Sequence, residues 1–437
     1  MSTSQSSFKN FVLPMIIIGA LFFIFGFVTW LNGILIPYLQ IACELTDFQA
    51  LFVAFAFYIA YTIMALPSAW VLKKTGFKNG MMVGLWVMAI GTIIFIPAAM
   101  SRTFGVFLTG LFVMGTGLAL LQTASNPYVT IIGPKESAAR RISILGICNK
   151  LAGAMAPLIL AYYILNDGDA FVQSLQTMDA TARVAALDSL ATRVINPYIV
   201  MTIVLILMGI GVRMAPLPEI DTSKEDNEVE SGAEKKNSIL AFPHLILGVV
   251  ALFFYVGAEV IAGDTIIRYG ISLGIEMNIA KAFTSYTMVA MVVGYLLGVA
   301  LIPNVISQRF ALKVSAILGL VFAVGAIFTS GLTSVIFVAL FGLANALVWP
   351  AIWPLAISNL GSFINTGSAL LIMAISGGAI LPLVWGRLSD VFNTQQAYWI
   401  MIPCYLFILF YSVKGYKIRS WKPGKENLGE AKAVVGK

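Results

Sequence analysis

Three ionisable residues lie inside long apolar stretches of this 437-residue chain: Lys150, Glu259 and Asp264. A charge left facing hydrocarbon costs on the order of 2.5–3.5 kcal/mol even on the mildest insertion scale. Each must therefore face an interior, pair, change protonation or meet water. Asp264 stands four residues before Arg268, the spacing of a helical ion pair, and that pairing is its structural expectation. Glu259 has no opposite charge at helical spacing, because Val256, Ala262 and Gly263 are neutral. Its expected chemistry is a proton or cation site, or an acceptor for a hydroxyl. Lys150 follows Asn149 about two turns into its stretch, which argues against simple snorkelling from a helix end. Three roles stay open for it: an ion pair with a distant carboxylate, a donor to a ligand hydroxyl, or plain structure.

Amides form a second set: Asn32, Gln122, Asn126, Asn149 and Asn345. Gln122 and Asn126 are spaced i, i+4 and share one helical face, so both can point into one cavity. An amide offers donors and acceptors together, which suits a neutral polyhydroxylated ligand. Phe25, Trp30, Tyr58, Trp349 and Trp353 supply rings that can stack on the apolar face of a sugar, although packing or an interfacial belt is the commoner role for any one of them. Cys43, Cys148 and Cys404 form no metal-like or redox-like pair and read as small apolar packers. A lone His244 at the start of a stretch reads as a boundary residue. With no nucleophile–base pair, metal cluster or Walker-type glycine loop, neither an enzyme nor an ATP-driven machine is expected.

The elements that must position these groups are membrane helices. Hydrophobic residues make up 59% of the chain and charged ones 11%, too few to clothe a soluble core of this size. The apolar stretches run too continuously for barrel strands, which alternate over roughly ten residues. Twelve spans are predicted, near 12–36, 49–72, 80–100, 104–132, 142–165, 196–215, 241–269, 281–302, 311–330, 332–357, 364–386 and 396–413. The reading is an all-α membrane protein of two six-helix bundles, 1–215 and 241–437, joined by a cytoplasmic linker over 216–240. That linker lies in the long polar run from Arg213 to Lys236, with Glu219, Asp221, Lys224, Glu225, Asp226, Glu228, Glu230 and Glu234, and is expected to stay solvated.

Placing both termini in the cytoplasm gathers about 20 of the 27 Lys and Arg on the inner side, as the positive-inside rule requires. The net charge of +7 is thereby a matter of topology and implies no nucleic acid. The first span runs on without a cleavage site, so no signal peptide is expected. The long outer loop, about 166–196, holds Ala- and Leu-rich stretches fit for a short surface helix. Gly110, Gly115, Gly117, Gly377 and Gly378 read as points of close helix approach. Trp349-Pro350 and Trp353-Pro354 predict a bent or broken helix, tolerated at depth where the segment lines a cavity or packs on protein.

Three stretches carry a family resemblance: Leu31 to Pro37, Leu121 to Thr130 and Tyr255 to Val260. Ile375-Ser376-Gly377-Gly378 and Ser389-Asp390 support it. The chain resembles the fucose-galactose-glucose:proton symporter family of the major facilitator superfamily over nearly its whole length. The resemblance implies twelve helices with the major facilitator fold, alternating access around a central sugar site, and a bacterial inner-membrane location. It departs at two positions. Fucose-transporting members have a carboxylate where this chain has Gly33, and another where it has Gln122; glucose/galactose members share the glutamine but not the glycine. The resemblance thus implies Asn32, Gln122, Asn126 and Asn149 as sugar-site residues, to which Lys150, Trp349 and Trp353 are added.

Glu259 and Asp264 are then the remaining cation-coupling groups, with no cofactor required. The coupling ion is left as proton or sodium, sodium being placed at Glu259 beside a broken seventh helix near Gly263. The expected function is glucose or galactose import by a transporter working as a monomer. The alternatives are symport of N-acetylglucosamine or fucose, an uncoupled facilitator, and a non-transporting sugar sensor.

Overall fold

The computed structural model describes residues 3–131, 138–217, 238–302, 305–360 and 363–421. Among these residues every regular element is a helix. Twelve stretches are long and apolar enough to cross a membrane, judged by length and composition: α1 Leu13–Ala42, α2 Phe48–Leu72, α3 Lys74–Ser101, α4 Phe104–Asn126, α5 Arg141–Ile164, α6 Ala180–Met214, α7 Pro243–Asp264, α8 Met277–Leu301, α9 Gln308–Phe328, α10 Gly331–Ile357, α11 Thr366–Val391 and α12 Gln396–Lys417. They match the predicted spans to within a few residues, except that α6 comprises two helices. Ile195–Met214 is the predicted crossing, and Ala180–Thr192 is a short helix in the long loop, joined there by Gly168–Leu175. The charged linker from Glu219 to Lys236 lies outside the described residues, as do Lys135, Lys422 and Lys425.

Local chemistry sets the helix starts. Thr46 caps the turn ahead of α2 in a reciprocal box with Gln49. Pro243 occupies the first turn of α7, where its missing N–H leaves no bond unmade. Close approaches fall where the glycines predict them. A Cβ on Gly117 would lie 2.5 Å from the Gly84 carbonyl, and one on Gly377 would lie 1.8 Å from the Phe253 carbonyl.

Several helices break at the depth of the polar residues. One helix of α1 ends at Trp30 and the next begins at Asn32. The α7 helix stops at Asp264, and Thr265 (φ −99°, ψ −13°) separates it from Ile266–Ser272. The expected break in α10 lies just ahead of the Trp-Pro pairs, between Asn345 and Val348. Freed carbonyls at such depth need partners. Thr284 donates to the Gly263 carbonyl at 2.7 Å.

The end of the molecule opposite the linker is capped by the 166–196 loop. Tyr38 donates to the Leu190 carbonyl at 2.8 Å, Arg183 pairs with Glu44 at 2.8 Å, and Arg102 with Asp188 at 3.5 Å. The Arg193 guanidinium grips Asp167 and holds its carboxyl below the usual carboxylate range. One residue of this loop reaches the other bundle: Asp169 accepts from the backbone N–H of Met277 at 2.8 Å and of Asn278 at 2.9 Å.

Candidate binding site between the bundles

Lys150 of α5 and Glu259 of α7 meet across the bundle interface, Nζ to Oε1 at 2.6 Å, with both residues more than 90% buried. The partner that Glu259 lacks at helical spacing is thus supplied from 109 positions away. The same ammonium stands 4.4 Å from the centre of the Trp30 ring, a cation–π contact strengthened by desolvation. Trp30 is itself held in a slot between the bundles. A Cβ on Gly153 would fall 2.4 Å from one edge of the indole, and a Cβ on Gly263 2.3 Å from the other. Tyr255, Tyr295 and Tyr405 lie within electrostatic reach of the Glu259 carboxylate. Tyr405 donates to Asn345 Oδ1 at 2.9 Å, and Asn345 Nδ2 is buried without a partner among the described residues.

Asp264 departs from expectation. It forms no ion pair with Arg268, whose guanidinium lies 5.2 Å from the Trp385 ring centre. The helix ends at Asp264, and Arg268 falls in the next one, Ile266–Ser272. Asp264 is fully buried, and neither of its oxygens has a hydrogen-bond partner among the described residues. The same holds for both polar atoms of Asn32 and for the Tyr58 hydroxyl. Tyr58 lies beside Asn32 without the alignment of a formed bond and within electrostatic reach of Asp264 and Glu259.

The remaining amides divide. Gln122 donates to the Tyr61 hydroxyl at 2.9 Å, and the Tyr61 ring stacks with Tyr58 at 6.4 Å, which links Gln122 to the interface. Asn126 is half-buried one turn along the same face. Asn149 turns back into its own bundle, donating to the Phe22 carbonyl at 3.3 Å. Trp349 and Trp353 stack on each other at 5.4 Å, and Trp349 lies 6.4 Å from Tyr255. The Glu259 carboxylate is bonded to Lys150, and among the described residues no group of three or more His, Cys, Asp or Glu side chains could hold a metal ion.

Sequence reasoning missed Tyr61, Tyr255, Tyr295 and Tyr405. For two of them a signal existed: Tyr255 precedes Glu259 by four residues and Tyr61 follows Tyr58 by three, so each pair shares a helical face. For Tyr295 and Tyr405 no sequence spacing marks the contact.

Two helical bundles with a buried polar seam between them define the architecture of a membrane transporter. A match to the Major Facilitator Superfamily spans residues 18–380. The chain is 34% identical to the glucose/galactose transporter of Brucella abortus, over 95% of this chain and 97% of that one. It is 29% identical to the L-fucose-proton symporter of Escherichia coli over 92% of this chain and 93% of that one. The solved E. coli fucose:proton symporter FucP, in a single-residue variant, superposes with a TM-score of 0.71 at 28% identity, covering 92% of this chain and 98% of that one. The chain belongs to the major facilitator superfamily and, within it, to the fucose-galactose-glucose:proton symporter family. Its relatives are sugar transporters, not enzymes.

Proposed function

We propose that the chain imports a hexose, glucose or galactose, together with a proton, by alternating access of its two bundles. The observation that carries this reading is the polar seam itself. Lys150, Asn32 and Tyr58 come from the first bundle and Glu259 and Asn345 from the second. A ligand bound by groups from both bundles is released toward one side when the seam opens there. Unpartnered buried amides and hydroxyls match a sugar, whose hydroxyls donate and accept alike. Gln122, Asn126 and Asn32 bind those hydroxyls, with Asn149 and Lys150 bordering the site, and Trp349 with Trp353 forms an aromatic wall beside Tyr255. The named substrates of the relatives support the hexose, and the fucose-proton symporters among them support a proton as the coupling ion.

The two bodies that rock are residues 1–215 and 241–437, with 216–240 as the link between them. The protein sits in a bacterial inner membrane with both termini in the cytoplasm, so the capped end faces outward. One copy contains the whole path and acts as a monomer. Uptake into proteoliposomes, with proton and sodium gradients imposed separately and several hexoses compared, tests the reading. Accumulation of glucose or galactose under a proton gradient alone is expected. Accumulation that survives collapse of both gradients would leave an uncoupled facilitator, and accumulation under sodium alone would reverse the ion.

A further inference from the structure

Two carboxylates share the seventh span, and the structure treats them differently. Glu259 has a cation at 2.6 Å. Among the described residues Asp264 has no cation within ion-pair distance, although it is the more deeply buried of the two. We propose that Asp264 is the group that carries the transported proton, with Asn32 and Tyr58 as the seat of its neutral form, while Glu259 is held in its ion pair with Lys150. This inference rests on the symport reading and assigns its ion to one residue.

The argument is one of complementarity. Among the described residues five buried polar atoms of three side chains lie unpartnered: both oxygens of Asp264, both side-chain heteroatoms of Asn32, and the Tyr58 hydroxyl. Buried polar atoms are rarely left so, and these call for an explanation. An ionised Asp264 presents only acceptors. A protonated one adds a donor, and with it Asn32 (two donors, one acceptor) and Tyr58 (one donor) match as partners. The other groups facing Asp264 are already committed. Lys150 and Glu259 neutralise each other, Thr284 of α8 is spent on the Gly263 carbonyl, and Arg268 lies over Trp385 beyond the helix break.

The placement also provides a way to exchange the proton. Asn32 and Tyr58 belong to α1 and α2, whereas Asp264 ends α7, so the seat exists only while the capped end is shut. Closing it over an ionised Asp264 would bury an unpaired charge. Closing it over the neutral acid would not. Opening that end admits water, to which the carboxyl releases its proton or from which it takes one. One O–H bond forms or breaks, and no further reactant is needed.

The test compares Asp264→Asn with Glu259→Gln in proteoliposomes and by infrared spectroscopy. Asp264→Asn is expected to keep sugar counterflow, to lower proton-driven accumulation at least tenfold, and to lose the pH-dependent carbonyl band of a protonated carboxyl. Glu259→Gln is expected to keep that band and to lose transport in every mode, counterflow included. Wild-type accumulation or a retained band in Asp264→Asn overturns the proposal. If the wild type takes up sugar without protons yet Asp264→Asn still removes the band, the symport reading fails and the proton site stands. Should Asp264→Asn fail to fold, Tyr58→Phe replaces it: a shift in the pH at which the band appears supports the seat, and an unmoved band overturns it.

Discussion

At the scale of single residues, the Lys150–Glu259 pair has the largest predictable consequence. Removing one partner leaves a buried charge uncompensated, which costs about 3–5 kcal/mol, whereas replacing both by apolar groups of similar volume is often neutral. Lys150→Met is therefore expected to lower the melting temperature of the purified protein sharply, and Lys150→Met with Glu259→Met to restore most of it. Two equally unstable variants would show that the pair contributes no mutual compensation. Gln122→Ala is expected to weaken hexose binding through loss of an amide ordered on Tyr61, measured as a raised half-saturation for counterflow; unchanged affinity removes Gln122 from the site. The ionisable residues of the seam were legible because charge at depth is costly wherever it occurs. Their partners were not. Lys150 and Glu259 are joined only by packing of two bundles, and Asp264 and Arg268, at helical spacing, fall in two successive helices.

At the scale of elements, the breaks and the glycines act together. Trp30 crosses the interface because Gly153 and Gly263 leave room for its ring on both sides. Gly263→Ala places a methyl 2.3 Å from the indole, and overpacking of this kind costs about 1–3 kcal/mol. A lower melting point together with slower transport is expected; a wild-type melting curve would mean that the slot relaxes freely. Gly33 has a related role at the shut end, where a Cβ would meet Thr284 Oγ1 at 2.6 Å and the Gly263 carbonyl at 3.3 Å. That lack of room gives a physical reason why this chain carries glycine at a position where fucose-transporting members have a carboxylate. Gly33→Ala is expected to hold the capped end ajar, read as faster labelling of a cysteine at Ser285 in a background lacking the three native cysteines. Helix positions were legible from hydropathy, since length and apolar continuity suffice. The break after Asp264 falls beside Gly263, where a broken seventh helix was expected, whereas no proline or glycine spacing marked the break after Trp30.

At the scale of the whole molecule, the two bundles are joined at the capped end by a contact of a different kind. Asp169 leaves the first bundle and binds two backbone N–H groups of the second, at a half-buried position that water can reach. Hydrogen bonds there exchange readily with solvent, so the net preference they create is small, about 1 kcal/mol, or a factor of about five between conformations. Asp169→Ala is expected to shift the unloaded protein by that factor toward the state open at the capped end, without altering which sugar it recognises. A bias of this size is felt in rates more than in equilibria. It makes the unloaded carrier wait longer on one side of its cycle, so the concentration giving half-maximal flux differs between the two faces of the membrane. The same protein then fills a cell faster than it empties one when sugar levels are exchanged across it, provided the driving gradient is the same in size.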